Sequence, residues 1–154
     1  MQLSSKYGSA LAAAAASKRE DSEAIVRLLL EHGAIANAQL GGDYGSALTA
    51  AASKGNESIV RLLLKYGADV NAHAGDYGSA LAAAAHSGSE RAVQLLIEHG
   101  ADVNAQLSGE YGSALAAGAW RGCERTVRLL LENGADINAQ LSGSYGSALG
   151  AAAA

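Results

Sequence analysis

One five-residue phrase, Tyr-Gly-Ser-Ala-Leu, occurs five times along this chain of 154 residues. Successive copies lie 37, 33, 34 and 34 residues apart, and they begin at Tyr7, Tyr44, Tyr77, Tyr111 and Tyr145. A period near 33 residues indicates a stacked repeat protein, in which each unit buries its apolar face against its neighbours. The phrase therefore predicts an elongated array of similar units.

The copy that spans residues 44–76 predicts the secondary structure of a unit. Ser46 precedes an alanine-rich run, and its hydroxyl can accept a backbone N–H of the first helical turn. Strong helix formers follow, so we expect a short first helix over residues 47–54 that ends at Gly55. Each unit thus begins with a short helix.

A second, more apolar helix is predicted over residues 57–66. Isoleucine, valine and leucine recur in it at helical spacing, and Gly67 provides the left-handed stop. Asn56 is expected to cap this helix, as Ser22 and Ser89 cap two of the others, whereas Cys123 is a poor cap at the same position. Between the two helices of the first unit, residues 18–21 lie in a connection that is three residues longer than its counterpart, which predicts a local irregularity.

The segment after the second helix carries a resemblance to a known family. Helix, tight turn, helix, Gly-Ala-Asp-Val-Asn and a further turn together resemble the ankyrin repeat over essentially the whole chain. The most specific pieces are Leu62-Leu-Leu-Lys-Tyr-Gly-Ala-Asp-Val-Asn71, Leu95-Leu-Ile-Glu-His-Gly-Ala-Asp-Val-Asn104 and Leu129-Leu-Leu-Glu-Asn-Gly-Ala-Asp-Ile-Asn138. The resemblance implies an all-α solenoid of helix-turn-helix units joined by hairpin-like turns.

The same register divides the chain into repeats of a single array, over residues 1–154. Four full repeats are expected at residues 7–43, 44–76, 77–110 and 111–144. Residues 1–6 match the turn of a preceding repeat, and residues 145–154 match a first helix without its second. A terminal helix without its partner is expected to fray, since repeat arrays owe their stability to the interfaces between units.

Composition excludes several classes of function. The net charge of −4 argues against a nucleic-acid surface, and no apolar stretch is long enough to cross a membrane. Phosphate-loop, zinc-ligand and nucleophile-elbow motifs do not occur, so we expect a non-enzymatic protein without a cofactor or metal. A single cysteine and no signal peptide favour an intracellular location, most simply the cytoplasm.

Positions that differ between the copies are the candidates for partner recognition, because scaffold positions have to repeat. The resemblance implies that the turns and first-helix ends line a concave face that grips proteins. Tryptophan and arginine are enriched at binding hot spots, so Trp120 is the leading contact, partly exposed on the inner face with His86 beside it. The predicted protein-binding set is Ser53, Lys54, Tyr66, Asp76, His86, Ser87, His99, Glu110, Trp120, Arg121 and Asn133.

Two alternatives stay open at this point. The tyrosine of every repeat could form an aromatic binding ladder, but a residue repeated without variation is expected to pack each turn onto its neighbour. The array could also associate with itself, since the unpaired apolar faces at its two ends can stack head to tail. The main hypothesis is a protein-interaction module with an unidentified protein partner, and end-to-end association is the alternative.

Overall fold

The computed structural model describes residues 8–73 and 75–154. This part of the chain contains nine α-helices and no strand, which confirms the predicted all-α solenoid of helix-turn-helix units. The partial turn predicted at residues 1–6, like Tyr7, lies outside the described residues. Short first helices alternate with longer second helices: α1 (Ala10–Ala15), α2 (Ser22–Glu31), α3 (Ala47–Ser53), α4 (Glu57–Lys65), α5 (Ala80–Ser87), α6 (Glu90–Glu98), α7 (Ala114–Arg121), α8 (Glu124–Glu132) and α9 (Ala148–Ala153).

The first helices all begin on a serine cap and form the inner layer of the array. The Ser46 hydroxyl accepts the backbone N–H of Thr49 at 3.1 Å, and Ser113 accepts that of Ala116 at 3.1 Å. Alanine fills most of these helices, and α5 packs between α3 and α7 with its alanines fully buried. Small side chains allow the helix backbones to approach closely, so the inner layer is thin and well packed.

The second helices form the outer layer and bury several large apolar side chains. Leu63, Leu96 and Leu130 stand at the same position of three successive repeats, and each is fully buried. A buried leucine contributes roughly 1.5–3 kcal/mol, far more than an alanine. The leucine-rich outer layer therefore anchors the alanine-rich inner layer.

Two of the predicted second-helix caps differ in the structure. Ser89 accepts the Ala92 N–H as a cap at 3.3 Å, and Cys123 makes no cap bond, as predicted. The prediction for Ser22 was wrong, because Ser22 is the first helical residue and Asp21 takes the cap position without a side-chain bond.

Asn56 holds the cap position of α4 but does not cap the helix with its side chain. Its Nδ2 instead donates to the carbonyl oxygens of Ala15 and Ser17, at 3.1 and 2.9 Å. The predicted cap at Asn56 was therefore wrong, since the amide satisfies two carbonyl groups in the preceding repeat. The contact joins the longer connection between α1 and α2 to the next unit.

That connection has the predicted irregularity. Residues 16–21 separate α1 from α2, whereas residues 54–56 separate α3 from α4. The polar insertion at residues 18–21 is exposed, which is where an insertion costs least.

A ladder of asparagines joins the loops that follow the second helices. Asn104 donates from Nδ2 to the Gly134 carbonyl oxygen at 2.9 Å and accepts the Asp136 N–H at 2.8 Å. Asn71 makes the same two bonds to Gly100 and Asp102 in the next repeat. These bonds fix the register of one unit against the next at the outer edge of the array.

The turns of adjacent repeats are joined by direct backbone hydrogen bonds. The N–H groups of Asp76, Glu110 and Ser144 each donate to the carbonyl oxygen of the equivalent residue one repeat earlier, at 2.8, 3.1 and 3.1 Å. Glycine permits this approach, because a Cβ on Gly109 would lie 2.5 Å from the Asp76 carbonyl oxygen. Glycine at the turns therefore allows neighbouring repeats to make direct backbone contact.

Residues 148–153 form the helix α9 in the structure, and the expected fraying of this helix in solution stays a prediction. The Ser147 hydroxyl caps α9 by accepting the Gly150 N–H at 3.0 Å, and Ala151 is buried as α9 packs on α7. Its outer face is uncovered, since Leu149 is 78% exposed whereas Leu115 at the same position is 3% exposed. The alanine face of α9 is thus covered by α7, while its leucine is left exposed.

Candidate functional site

Aromatic side chains from successive repeats lie in contact along the turn side of the array. We call this set the ring row, and it comprises Tyr44, Tyr77, His86, Tyr111, Trp120 and Tyr145. Tyr44 stacks on Tyr77 with ring centroids 6.4 Å apart, and Tyr111 stacks on Tyr145 at 6.3 Å. The invariant tyrosines therefore pack turn against turn, as predicted from their repetition.

His86 and Trp120 fill the middle of the ring row. His86 contacts Tyr77 and Tyr111 at 5.3 and 5.2 Å, and the indole of Trp120 lies on the imidazole at 5.3 Å with ring planes 14° apart. Trp120 also contacts Tyr111 at 5.6 Å and remains 40% exposed. The predicted exposure of Trp120 and its pairing with His86 are both confirmed.

A row of carboxylates follows the tips of the turns. Asp43, Asp76 and Glu110 are exposed, and each immediately precedes a tyrosine of the ring row. With Tyr44, Tyr77 and Tyr111 they line one cleft of about 250 Å³. Among the described residues, none of the three carboxylates forms an ion pair with a lysine or arginine. The cleft thus combines an aromatic floor with unpaired negative charge.

The opposite edge of the ring row is formed by the ends of the first helices and is basic. Lys54 places its Nζ over the Tyr44 ring, 5.8 Å from the centroid, and Arg121 is exposed beside Trp120. Ser53 and Ser87 bond their hydroxyls to carbonyl oxygens of their own helices, at 2.8 Å each. Acidic turns and basic helix ends therefore flank the rings on two sides.

Burial and charge shift the acid–base behaviour of the ring row. Burial lowers the pKa of His86, the Arg121 charge lowers it further, and the Glu110 carboxylate opposes both. Burial also raises the pKa of Tyr111 to about 12, with Glu110 adding to the effect. The pKa of Tyr77 is raised, mainly by burial. These shifts keep His86, Tyr77 and Tyr111 uncharged at neutral pH, so the charge in the middle of this surface comes from its two flanks.

Three residues of the predicted binding set lie elsewhere. Tyr66, His99 and Asn133 stand at the C-terminal ends of α4, α6 and α8. The two helices of a unit are antiparallel, so these residues are separated from the first-helix ends by a second helix of nine residues, about 13 Å long. His99 and Asn133 bond to their own helices through the Leu95 and Leu129 carbonyl oxygens. The structure thus divides the predicted set into two separate groups.

The tyrosines of the ring row lie outside the set predicted from the sequence. Invariance among the copies indicated a packing role, and Tyr44 and Tyr111 do pack, yet both also line the cleft. The sequence signal that could have found them is the acidic residue directly before each of Tyr44, Tyr77 and Tyr111. The tyrosines thus both pack one turn against the next and line the cleft.

Other kinds of site find little support in the described part of the chain. No group of three or more histidine, cysteine, aspartate or glutamate side chains there could hold a metal ion. None of the helices described is long and apolar enough to cross a membrane. A depression of about 720 Å³ between α2 and α4 is lined by Arg27 and Glu23, which pair with each other, as do Arg61 and Glu57.

Comparison with protein families agrees with the fold. A family model described as ankyrin repeats, in three copies, matches residues 2–74 and residues 72–140. The chain belongs to the ankyrin-repeat family. Ankyrin repeats are generally protein–protein interaction modules, and ankyrin-repeat proteins are typically non-enzymatic. Comparison with curated proteins gives no match, so this ankyrin array has to be understood from its own surface.

Proposed function

We propose that this ankyrin array is a non-enzymatic interaction module that binds a protein partner on the ring row and the two charged flanks beside it. The observation that carries the proposal is the partial exposure of Trp120 while it is held by His86 and Tyr111. An aromatic side chain that is already immobilised loses little conformational entropy when a partner covers it. Tryptophan, tyrosine and arginine are also the residue types that dominate binding hot spots.

The binding set that we propose is narrower than the one predicted from the sequence. It keeps the residues at first-helix ends and turns, adds tyrosines, and leaves Tyr66, His99 and Asn133 as a separate group. A small partner cannot cover the first-helix ends and the second-helix ends at the same time, because the length of a second helix separates them. We place the contact on the turn side, where the rings and the unpaired carboxylates are combined.

Substitution of two equally exposed aromatic residues tests this placement. Trp120 and Tyr66 are each 40% exposed, so Trp120→Ala and Tyr66→Ala remove similar exposed surface from the two groups. A partner isolated with the wild-type array should bind Trp120→Ala at least about tenfold more weakly and Tyr66→Ala almost unchanged. Hydrogen exchange of the complex should show new protection at the turns. The reverse order of the two variants would place the contact at the second-helix ends.

End-to-end association is a second candidate function, favoured by a separate observation. Leu28 on α2 is 55% exposed, whereas Leu62 at the same position of the next repeat is 5% exposed. At the other end Leu149 and Ile137 are exposed as well. The described ends of the array therefore present the same apolar faces that bury each other inside it, and a second copy could cover them.

Sedimentation velocity over a wide range of protein concentrations tests this second candidate. Head-to-tail stacking predicts a growing series of oligomers, because a heterologous contact of this kind does not close. Leu149→Lys should abolish the series, while Trp120→Ala should leave it unchanged. A single monomer species at the highest concentration would eliminate the candidate.

The remaining expectations about partners and location are also proposals. The net charge of −4 disfavours nucleic acid as a partner. We propose a cytoplasmic location without membrane attachment, on the strength of the sequence arguments. Localisation of the tagged protein in its source cell would test it.

A further inference from the structure

We propose that the partner binds through an extended segment that carries a lysine or arginine at every second position. The inference rests on the proposed function, since it specifies the chemistry of the partner at the same surface. Three successive basic side chains would lie against Asp43, Asp76 and Glu110, and the segment would run along the axis of the array.

The spacing of the turns is the first argument. The stacked pairs Tyr44–Tyr77 and Tyr111–Tyr145 step by 6.4 and 6.3 Å per repeat. The same backbone bond joins each of Asp76, Glu110 and Ser144 to the preceding turn, so we extend this step to the turns of Tyr77 and Tyr111. On this step each repeat would present its carboxylate a little over 6 Å from the last one.

An extended chain has the same period. A β-strand rises about 3.3 Å per residue, so every second side chain advances by about 6.6 Å and points to the same side. This distance agrees with the step of the turns to within about half an ångström. Side chains at alternate positions thus stay in register with successive repeats over the whole cleft. In a helix, residues four apart also advance about 6 Å, but each is rotated by about 40° from the last, so they leave a straight row.

The negative charge of the cleft favours basic side chains on the partner segment. The three carboxylates are exposed, lie in one row, and have no basic partner among the described residues. Like charges at this spacing repel one another, and a row of cations at the same spacing relieves the repulsion. Lys54 over the Tyr44 ring shows within the array itself that this surface accommodates an ammonium group next to an aromatic face.

The opposite flank constrains the intervening positions. Side chains that alternate with the basic ones point towards the first-helix ends, where Lys54 and Arg121 lie. A second set of cations there would meet like charge. The intervening residues of the segment should therefore be uncharged, which distinguishes it from an uninterrupted basic stretch.

Two synthetic peptides of identical composition test the proposal. Lys-Ser-Lys-Ser-Lys-Ser-Ser places three lysines at alternate positions, and Lys-Ser-Ser-Lys-Ser-Ser-Lys places them three apart. Trp120 is the only tryptophan in the chain, so its fluorescence reports directly on the ring row, and calorimetry gives the affinity independently. The alternating peptide should bind about fivefold more tightly than its isomer, and added salt should weaken it. Equal affinity of the two peptides would overturn the proposed register.

Charge-neutralising variants test which carboxylates take part. Asp76→Asn combined with Glu110→Gln should weaken the alternating peptide by about tenfold. Glu31→Gln combined with Glu132→Gln removes the same charge from exposed second-helix ends and serves as the matched control. An equal loss of peptide affinity in both double variants would show that only the net charge of the array matters. It would contradict a binding role for Asp76 and Glu110 in particular. Unchanged far-ultraviolet circular dichroism shows that each variant is folded.

The outcome also separates this proposal from the proposed function. If the basic peptides leave Trp120 fluorescence unchanged while an isolated partner still depends on Trp120, the surface binds proteins and the alternating basic segment is wrong. If the glutamate counterpart, Glu-Ser-Glu-Ser-Glu-Ser-Ser, binds as well as the lysine peptide, the carboxylate row plays no part. If a partner shows no dependence on Trp120, the proposed function itself fails.

Discussion

Trp120 lies on His86 with the two rings almost parallel, 5.3 Å apart at their centroids, although the residues belong to different repeats. Tyr77 and Tyr111 contact the same imidazole. His86 is therefore held by aromatic rings from its own repeat and from the next one, and its protonation state is tied to the packing between units.

Stability of the array should fall as the pH is lowered through the titration of His86. The folded-state pKa of His86 lies below its ordinary value of 6.5, mainly because of burial. As the pH falls, His86 is therefore protonated in the unfolded chain before it is protonated in the folded array. The contribution of neutral His86 to the free energy of unfolding is fully present above pH 6.5 and is lost between that pH and the folded pKa. Urea unfolding at about pH 7.5 and about pH 5.5 should show a smaller loss for His86→Gln than for the wild type. His99→Gln is the control, and it should retain the wild-type loss.

Gly109→Ala should destabilise the array. A Cβ there would meet the Asp76 carbonyl oxygen at 2.5 Å and the Tyr77 carbonyl carbon at 2.8 Å, both of them backbone atoms that cannot rotate away. We expect a loss of about 1–3 kcal/mol in the free energy of unfolding, the usual cost of overpacking. Gly41→Ala is the control, because a Cβ at Gly41 meets nothing within 4 Å. Urea denaturation of both variants measures the difference, and equal stabilities would contradict the close approach of the turns.

Asn104→Ala should cost more stability than Asn138→Ala. Asn104 bonds to Gly134 and Asp136 in the next repeat, whereas the Asn138 side chain makes no hydrogen bond within the described residues. Losing two bonds at an exposed position should lower the free energy of unfolding by about 1–2 kcal/mol. The Asn138 variant should change it by less than about 0.5 kcal/mol. Thermal unfolding followed by circular dichroism would rank the two, and similar losses would argue against the ladder.

Cys123→Ser should stabilise α8. Cys123 occupies the cap position without a cap bond, and Ser89 at the equivalent position of α6 accepts the Ala92 N–H. A serine cap is worth about 1 kcal/mol, part of which is offset because the present thiol already accepts a bond from Thr126 at 3.2 Å. We expect a gain of about 0.5 kcal/mol by urea denaturation and a loss of about 1 kcal/mol for Ser89→Ala. A gain for both substitutions would show that capping does not decide stability here.

The candidate site was predicted from the sequence only in part. Trp120 and His86 could be paired in advance because they share a register at the ends of first helices. Tyr66 and His99 were placed with them because they also vary between copies, and variation carries no information about which end of a helix pair a residue occupies. Repetition favours a packing role for the tyrosines and leaves a binding ladder only as the alternative, since repetition within one chain does not distinguish a buried ring from one that also lines a cleft.

The sequence by itself determined the repeat, the two helices of each unit, the serine caps of the first helices and the irregular connection at residues 18–21. These features follow from local rules, namely the period of the apolar residues, capping chemistry and glycine stops. Only the tertiary structure decided that Asn56 bonds to the preceding repeat, that α9 is formed without its second helix, and that Asp43, Asp76 and Glu110 lie in one row beside the rings. Those three outcomes depend on how closely one unit approaches the next, a distance set by the packing of glycine and alanine between repeats.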